Sequence, residues 1–163
     1  MKISMKGDAR TAPHKPRVAV KRRTPDIYQA MLNLDAAVSG SGLERSLLEL
    51  VRVRASQING CAFCLDMHTK DARAAGETEQ RIYALPVWRE TPYFTEAERA
   101  ALALTEAVTV LTDGFVPEDV YAEAAKHFDD ATLAQLISVL VMINAWNRIG
   151  VATRTWTPGS YQP

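Results

Sequence analysis

Cysteine is almost missing from this 163-residue chain: there are two, Cys61 and Cys64, and they stand three apart. A secreted domain stapled by disulfides spreads its cysteines to close longer loops. The basic start of the chain is followed by no apolar run, so it is not expected to be a secretory signal. A lone Cys-x-x-Cys is then expected to serve chemistry in a reducing, cytoplasmic compartment. Net charge is missing too. Nineteen basic and nineteen acidic side chains cancel, which removes the overall electrostatic reason to expect nucleic acid or an anionic membrane as partner. No long apolar run is present. The longest, Leu133 to Trp146, is broken by Ala134, Gln135, Ser138 and Asn144, so it is too short to span a bilayer and reads as a buried helix. Strand-like alternation is absent apart from a weak stretch at Arg17–Val20, and no internal repeat stands out.

What is present is one domain's worth of chain with a helical grammar. Up to Arg23 there are eight Lys or Arg and one acid, Asp8. This basic arm, residues 1–23, is expected to be mobile or to dock on a neighbouring subunit. Thr24-Pro25 reads as a cap followed by a first helical position, opening a helix to about Val38. Ser39-Gly40-Ser41-Gly42 breaks it. A second helix runs from Leu43 to about Ile58, ended by Asn59-Gly60, and a third from Cys61 to Ala75, with Gly76 as left-handed terminator. A short helix covers Thr78 to Ala84. Thr95-x-x-Glu98 is a capping box for a long helix to Val110, Pro117 starts another, and Asp129 or Asp130 caps the last, toward Arg148. The expected fold is an all-α, single-domain bundle of about six or seven helices over residues 24–163.

Positions 61, 64 and 68 fall within roughly a 60° arc of the third helix. Two sulfurs and one imidazole therefore share a stripe at a helix start, where free amides and the helix dipole favour thiolate over thiol. His68, one turn beyond Cys64, is placed to accept or relay its proton. If the second and third helices form an antiparallel hairpin about Asn59-Gly60, Glu49 lies at the height of His68, and a carboxylate there would orient the ring. The helical wheel argues otherwise. Glu49 sits opposite the apolar stripe of Leu43, Leu47, Leu50, Val51 and Ile58, beside Arg45, Arg52 and Ser56, which is the pattern of a solvated carboxylate paired with an arginine. Arg54 is the odd charge on that stripe, so this face is expected to meet a polar surface or a subunit. Asp66, Lys70 and Asp71 read as the solvated face of the third helix, Phe63 as packing, and Trp146 as the best of the three tryptophans to line a pocket.

Two other chemistries compete for the cysteines. Structural zinc wants four ligands, and Cys61, Cys64 and His68 supply three from one helix, with only His14 and His127 elsewhere. A thioredoxin-type site needs a strand before the pair and a central sheet, and neither is visible.

Glu49, eleven residues, Cys61, two residues, Cys64, three residues and His68 together resemble the signature of the alkylhydroperoxidase D family. This is the redox branch of the carboxymuconolactone decarboxylase-like superfamily. Leu48-Glu49-Leu50-Val51, Ala55 through Cys61 and Asp66 through Lys70 resemble its core, and Trp88-Arg89-Glu90-Thr91 and Ile143 through Arg148 its later motifs. The likeness spans Thr24 to Tyr161.

It implies a helical subunit in a homotrimer or homohexamer. It also implies a peroxiredoxin-type hydroperoxide reductase with catalytic Cys64, Cys61, His68 and Glu49 and no metal or organic cofactor, reset by a dithiol reductant. In the implied chemistry Cys64 attacks the peroxide, Cys61 closes the disulfide, and Glu49 and His68 relay protons. Helix position alone favours Cys61 as the more acidic thiol. Some members carry histidine where this chain has Phe63, which bears on the rate. Lactone decarboxylation is disfavoured, since that branch does not depend on the cysteine pair. A non-catalytic redox sensor is the other class of function the same residues allow.

Overall fold

The structure, a computed structural model, describes residues 15–163, and every regular element among them is helical. In order these are α1 (Val20–Arg23), α2 (Pro25–Ser39), α3 (Arg45–Asn59), α4 (Ala62–Ala74), α5 (Glu79–Ala84), α6 (Glu96–Thr109), α7 (Glu118–His127) and α8 (Asp130–Thr153), with a 3-10 segment at Leu85–Glu90. The expected all-α class holds. The surplus over six or seven helices comes mainly from α1, inside the part read as an arm. There the Arg17 amide donates to the Thr153 carbonyl (2.8 Å) and its guanidinium to Ala152 (3.0 Å). A cation thus meets the unpaired carbonyls and negative dipole end of α8, and the Arg17–Val20 stretch leads into a helical turn instead of a strand. The earlier part of the basic arm, with His14, lies outside the described residues.

Several boundaries follow side-chain chemistry. The Thr95–Glu98 capping box forms in both directions, and Asp129 accepts from the Thr132 amide at 2.8 Å to open α8. Gly60, at φ 65°, ends α3 in the left-handed conformation that a side chain would resist. Thr24 does not cap α2: its hydroxyl donates to the Val20 carbonyl instead (3.1 Å), because α1 ends immediately before it.

α3 lies at the centre and packs on α4, α6 and α8. One apolar cluster joins Leu48, Val51, Leu104, Leu136 and Leu140, and a second joins Leu50, Val53, Leu85, Trp88 and Leu102. Covering α3 on both sides buries the face that its helical wheel marks as solvated. Glu49 is 4% exposed, Arg52 8%, and Ser56 is fully buried. Arg54 meets Glu106 of α6 at 2.8 Å, and Glu106 also accepts from Trp88 Nε1 at 2.9 Å. The polar surface expected for Arg54 is therefore within its own chain. The apolar segment near the C-terminus belongs to the 24-residue α8, long and apolar enough by length and composition to cross a membrane. One face of it is core, with Leu133, Leu136, Val139, Leu140, Met142 and Ile143 all buried, while Val141 and Val151 on the other are exposed.

Candidate active site

The α3–α4 hairpin is tight. Gly60 reverses the chain, the Cys61 amide donates to the Ser56 carbonyl at 3.1 Å, and Cys61 becomes the N-cap of α4 rather than its first residue. Its sulfur takes the N-cap role, accepting from the Cys64 amide at 3.4 Å. The two sulfurs stand at disulfide distance, with Cα atoms 5.3 Å apart, a span within the ordinary range for the bond. Both cysteines are buried.

A buried amide network holds this turn to α8. Asn59 Nδ2 donates to Asn144 Oδ1 and Asn147 Oδ1, each at 2.9 Å, and Asn147 Nδ2 donates to Ser56 Oγ at 3.1 Å. Such a network fixes register because each member left unpaired would pay a desolvation cost. Asn144 interrupts the apolar run in the sequence, and this is its use. α8 also approaches the pair closely at Gly150. A methyl group there would lie 3.0 Å from Cys61 Sγ and 3.3 Å from the Trp156 ring. Gly150→Ala is therefore expected to gain less than the roughly 1 kcal/mol that alanine ordinarily adds in a helix interior, because crowding against Cys61 and Trp156 offsets it. Thermal unfolding of the oxidised protein checks this, and a stabilisation of the full helix-propensity size would refute the close approach.

One turn beyond Cys64, His68 Nδ1 lies 2.9 Å from Glu49 Oε2, the level that the hairpin argument assigns. Arg52 Nη1 donates to the other carboxylate oxygen at 3.2 Å, while its Nη2 donates to Ser39 at 2.7 Å and pairs with Asp35 at 3.5 Å. The arginine partner of the solvated reading is present, but Glu49 is not solvated: it is buried against the histidine. Burial alone would raise its carboxyl. The hydrogen bond from His68, the charge that ring carries when protonated and the charge of Arg52 outweigh that and hold it below the usual range. An ionised Glu49 accepts from Nδ1–H, which leaves Nε2 as the ring nitrogen free to take or give a proton.

Two residues escape the sequence reading. Asp71 is not simply on a solvated face: its carboxylate lies within 4.8 Å of donor atoms of Glu49 and His68. Tyr161, in the irregular C-terminal segment, donates its hydroxyl to Asp71 at 2.7 Å. That bond, then burial and the nearby Asp71 and Glu49 charges, push the phenol up to about 12. Of the other expected residues, Phe63 stacks on Trp156 (ring centres 5.4 Å apart), and Trp146 lies between Trp156 and Tyr28, at 5.8 and 5.5 Å. His127 pairs with Glu123 on α7.

A helical bundle that carries a Cys-x-x-Cys pair at a helix start, over a buried carboxylate–imidazole pair, defines a dithiol protein of the AhpD-like type. The chain belongs to the carboxymuconolactone decarboxylase family, whose model matches residues 25–107. It is 40% identical over 136 residues to the uncharacterised protein YdfG of Bacillus subtilis, covering 83% of this chain and 92% of that one. A solved structure from Agrobacterium tumefaciens superposes with a TM-score of 0.85 at 40% identity, covering 88% of this chain and 99% of the other. That protein is of unknown function, and its name proposes antioxidant defence as AhpD. A peroxidase-related protein of Ralstonia eutropha with an alkylhydroperoxidase AhpD core shares the fold at 19% identity, with a TM-score of 0.72 over 86% of this chain and 74% of that one.

Proposed function

We propose that the protein is a thiol peroxidase that reduces organic hydroperoxides through Cys61 and Cys64. The observation that carries this reading is the buried Glu49–His68 pair one turn from a cysteine able to form a disulfide. Cys64, as thiolate, attacks the terminal peroxide oxygen. The O–O bond breaks, Cys64 becomes a sulfenic acid, and the alkoxide leaves with a proton from the relay. The Cys61 sulfur then displaces hydroxide from the sulfenic sulfur, forming the disulfide and releasing water. An external dithiol gives two hydrogens to the pair and closes to its own disulfide. The sum is one hydroperoxide and one dithiol converted to an alcohol, water and a disulfide.

No metal or organic group enters these steps. Hydroperoxide, dithiol and further copies of the chain in a trimer or hexamer are the partners the reading needs. The direct test is intact mass before and after one equivalent of an organic hydroperoxide, followed by dithiol consumption under excess peroxide. Loss of two hydrogens mapped to Cys61–Cys64, with many turnovers, is the expected result. A disulfide that forms once and does not cycle would point to the sensor instead. Unreactive thiols would overturn both.

A further inference from the structure

Beyond α8 the chain turns back over the site. Arg154, in the left-handed conformation at φ 51°, ends the helix, and residues 155–161 run along α4. Trp156 stacks on Phe63, one of the two residues between the cysteines, and meets Trp146 edge-on. The Gly159 amide donates to Asp66 at 2.9 Å, Lys70 Nζ donates to the Tyr161 carbonyl at 2.9 Å, and the Tyr161 hydroxyl donates to Asp71. Phe63, Asp66, Lys70 and Asp71 recur at helical spacing, so the segment is fastened along α4 from the redox pair to its last turn. At the near end, one point in space is 3.0 Å from Cys61 Sγ and 3.3 Å from the Trp156 ring. At the far end, Asp71 stands beside Glu49 and His68.

With this segment in place Cys61 is 3% exposed and Cys64 2%. A reductant must bring a sulfur into line with the S–S bond, and a peroxide must touch the attacking sulfur. Sulfurs so covered present almost no surface to either, and further copies of the chain could only cover them more. Something in the wall has to move. The rest of that wall is α3, α4 and α8, tied together by the apolar core and the Asn59–Asn144–Asn147 network. The 155–161 segment is irregular and lies at the surface. Its fastenings are side-chain contacts with partial exposure, so it is the part with least to lose on opening.

We propose that residues 155–161 form a gate over the Cys61–Cys64 pair, hinged at Arg154 and latched by Tyr161 on Asp71 and by Trp156 on Phe63. Closed, it shelters the sulfurs; open, it admits peroxide and reductant. The proposal rests on the redox reading above, and its test separates the two. Full-length oxidised protein is reduced with dithiothreitol and, in parallel, with a thioredoxin-type protein dithiol, and the loss of the disulfide is followed by intact mass. Tyr161→Phe, which deletes one hydroxyl, is expected to be reduced roughly three- to tenfold faster, the net value of one partly exposed hydrogen bond. A chain ending after Arg154 should be faster still, with the larger gain for the protein dithiol. If folded variants are reduced at the wild-type rate or more slowly, there is no gate. If the shortened chain does not fold, Tyr161→Phe decides alone. If no Cys61–Cys64 disulfide forms in any variant, the redox reading itself has failed and the gate falls with it.

Discussion

Cys64→Ser is expected to abolish hydroperoxide-dependent dithiol consumption, and Cys61→Ser to stop it after a single event. The difference follows from the roles the geometry supports. Without Cys64 there is no thiolate beside the relay to attack the peroxide. Without Cys61 the attack still occurs, but the sulfenic acid has no partner three residues away. Cys61→Ser should therefore gain one oxygen at Cys64 and consume one equivalent of peroxide. Mass analysis after one equivalent of peroxide reads both outcomes directly. The competing assignment is real chemistry, because Cys61 caps α4 and its sulfur already accepts the Cys64 amide, the setting that lowers a thiol's pKa. If Cys64→Ser gains the oxygen and Cys61→Ser stays inert, the two roles exchange. Full cycling in both variants would remove the pair from the mechanism.

The pieces of this site differed in how openly the sequence showed them. The Cys61–Cys64–His68 stripe depends only on helical spacing, a local property, and α4 places it as expected. The level of Glu49 against His68 also came from local information, because Gly60 makes the α3–α4 hairpin and counting outward from the turn sets the register. Whether Glu49 faces water was a different kind of question. The wheel of α3 puts it among Arg45, Arg52 and Ser56, a polar face that reads as exposed. In the fold α3 is enclosed on both sides, and its polar residues satisfy one another: Glu49 with His68 and Arg52, Ser56 with Asn147. A helical wheel cannot show this, since it describes one helix and burial is a property of its neighbours. Asp71 and Tyr161 were harder still. They are ninety residues apart and meet only because the chain turns at Arg154, a non-glycine in a left-handed conformation with no turn motif to announce it.

Glu49→Gln is expected to slow peroxide turnover by about 10²–10⁴-fold, the usual range for a group in a proton relay, while leaving the Cys61–Cys64 disulfide able to form. The substitution keeps the shape and removes the charge that receives His68 Nδ1–H. The amide can present its oxygen to the ring or to Arg52, but it cannot stabilise an imidazolium as a carboxylate does. If Glu49 and His68 work as one unit, His68→Ala should cost a similar factor, and adding Glu49→Gln to it should cost little more. Independent, multiplying losses would mean that the carboxylate acts elsewhere. Stability gives a second readout that a purely structural ion pair would share, so the two must be compared. Because the folded-state carboxyl is held below its ordinary 4.5, its contribution to stability is complete above that value and is lost as the pH falls through the lowered one. The Gln variant should lack this acid-side loss. It should also be less stable near neutrality, because the buried Arg52 charge would keep only Asp35 and Ser39 as partners. Arg52→Met separates the effects. It disrupts the same buried pair at a cost of about 3–5 kcal/mol, yet leaves the Glu49–His68 hydrogen bond in place. A variant that is less stable but still turns over much faster than Glu49→Gln would assign the rate to the carboxylate–imidazole contact and the stability to the guanidinium.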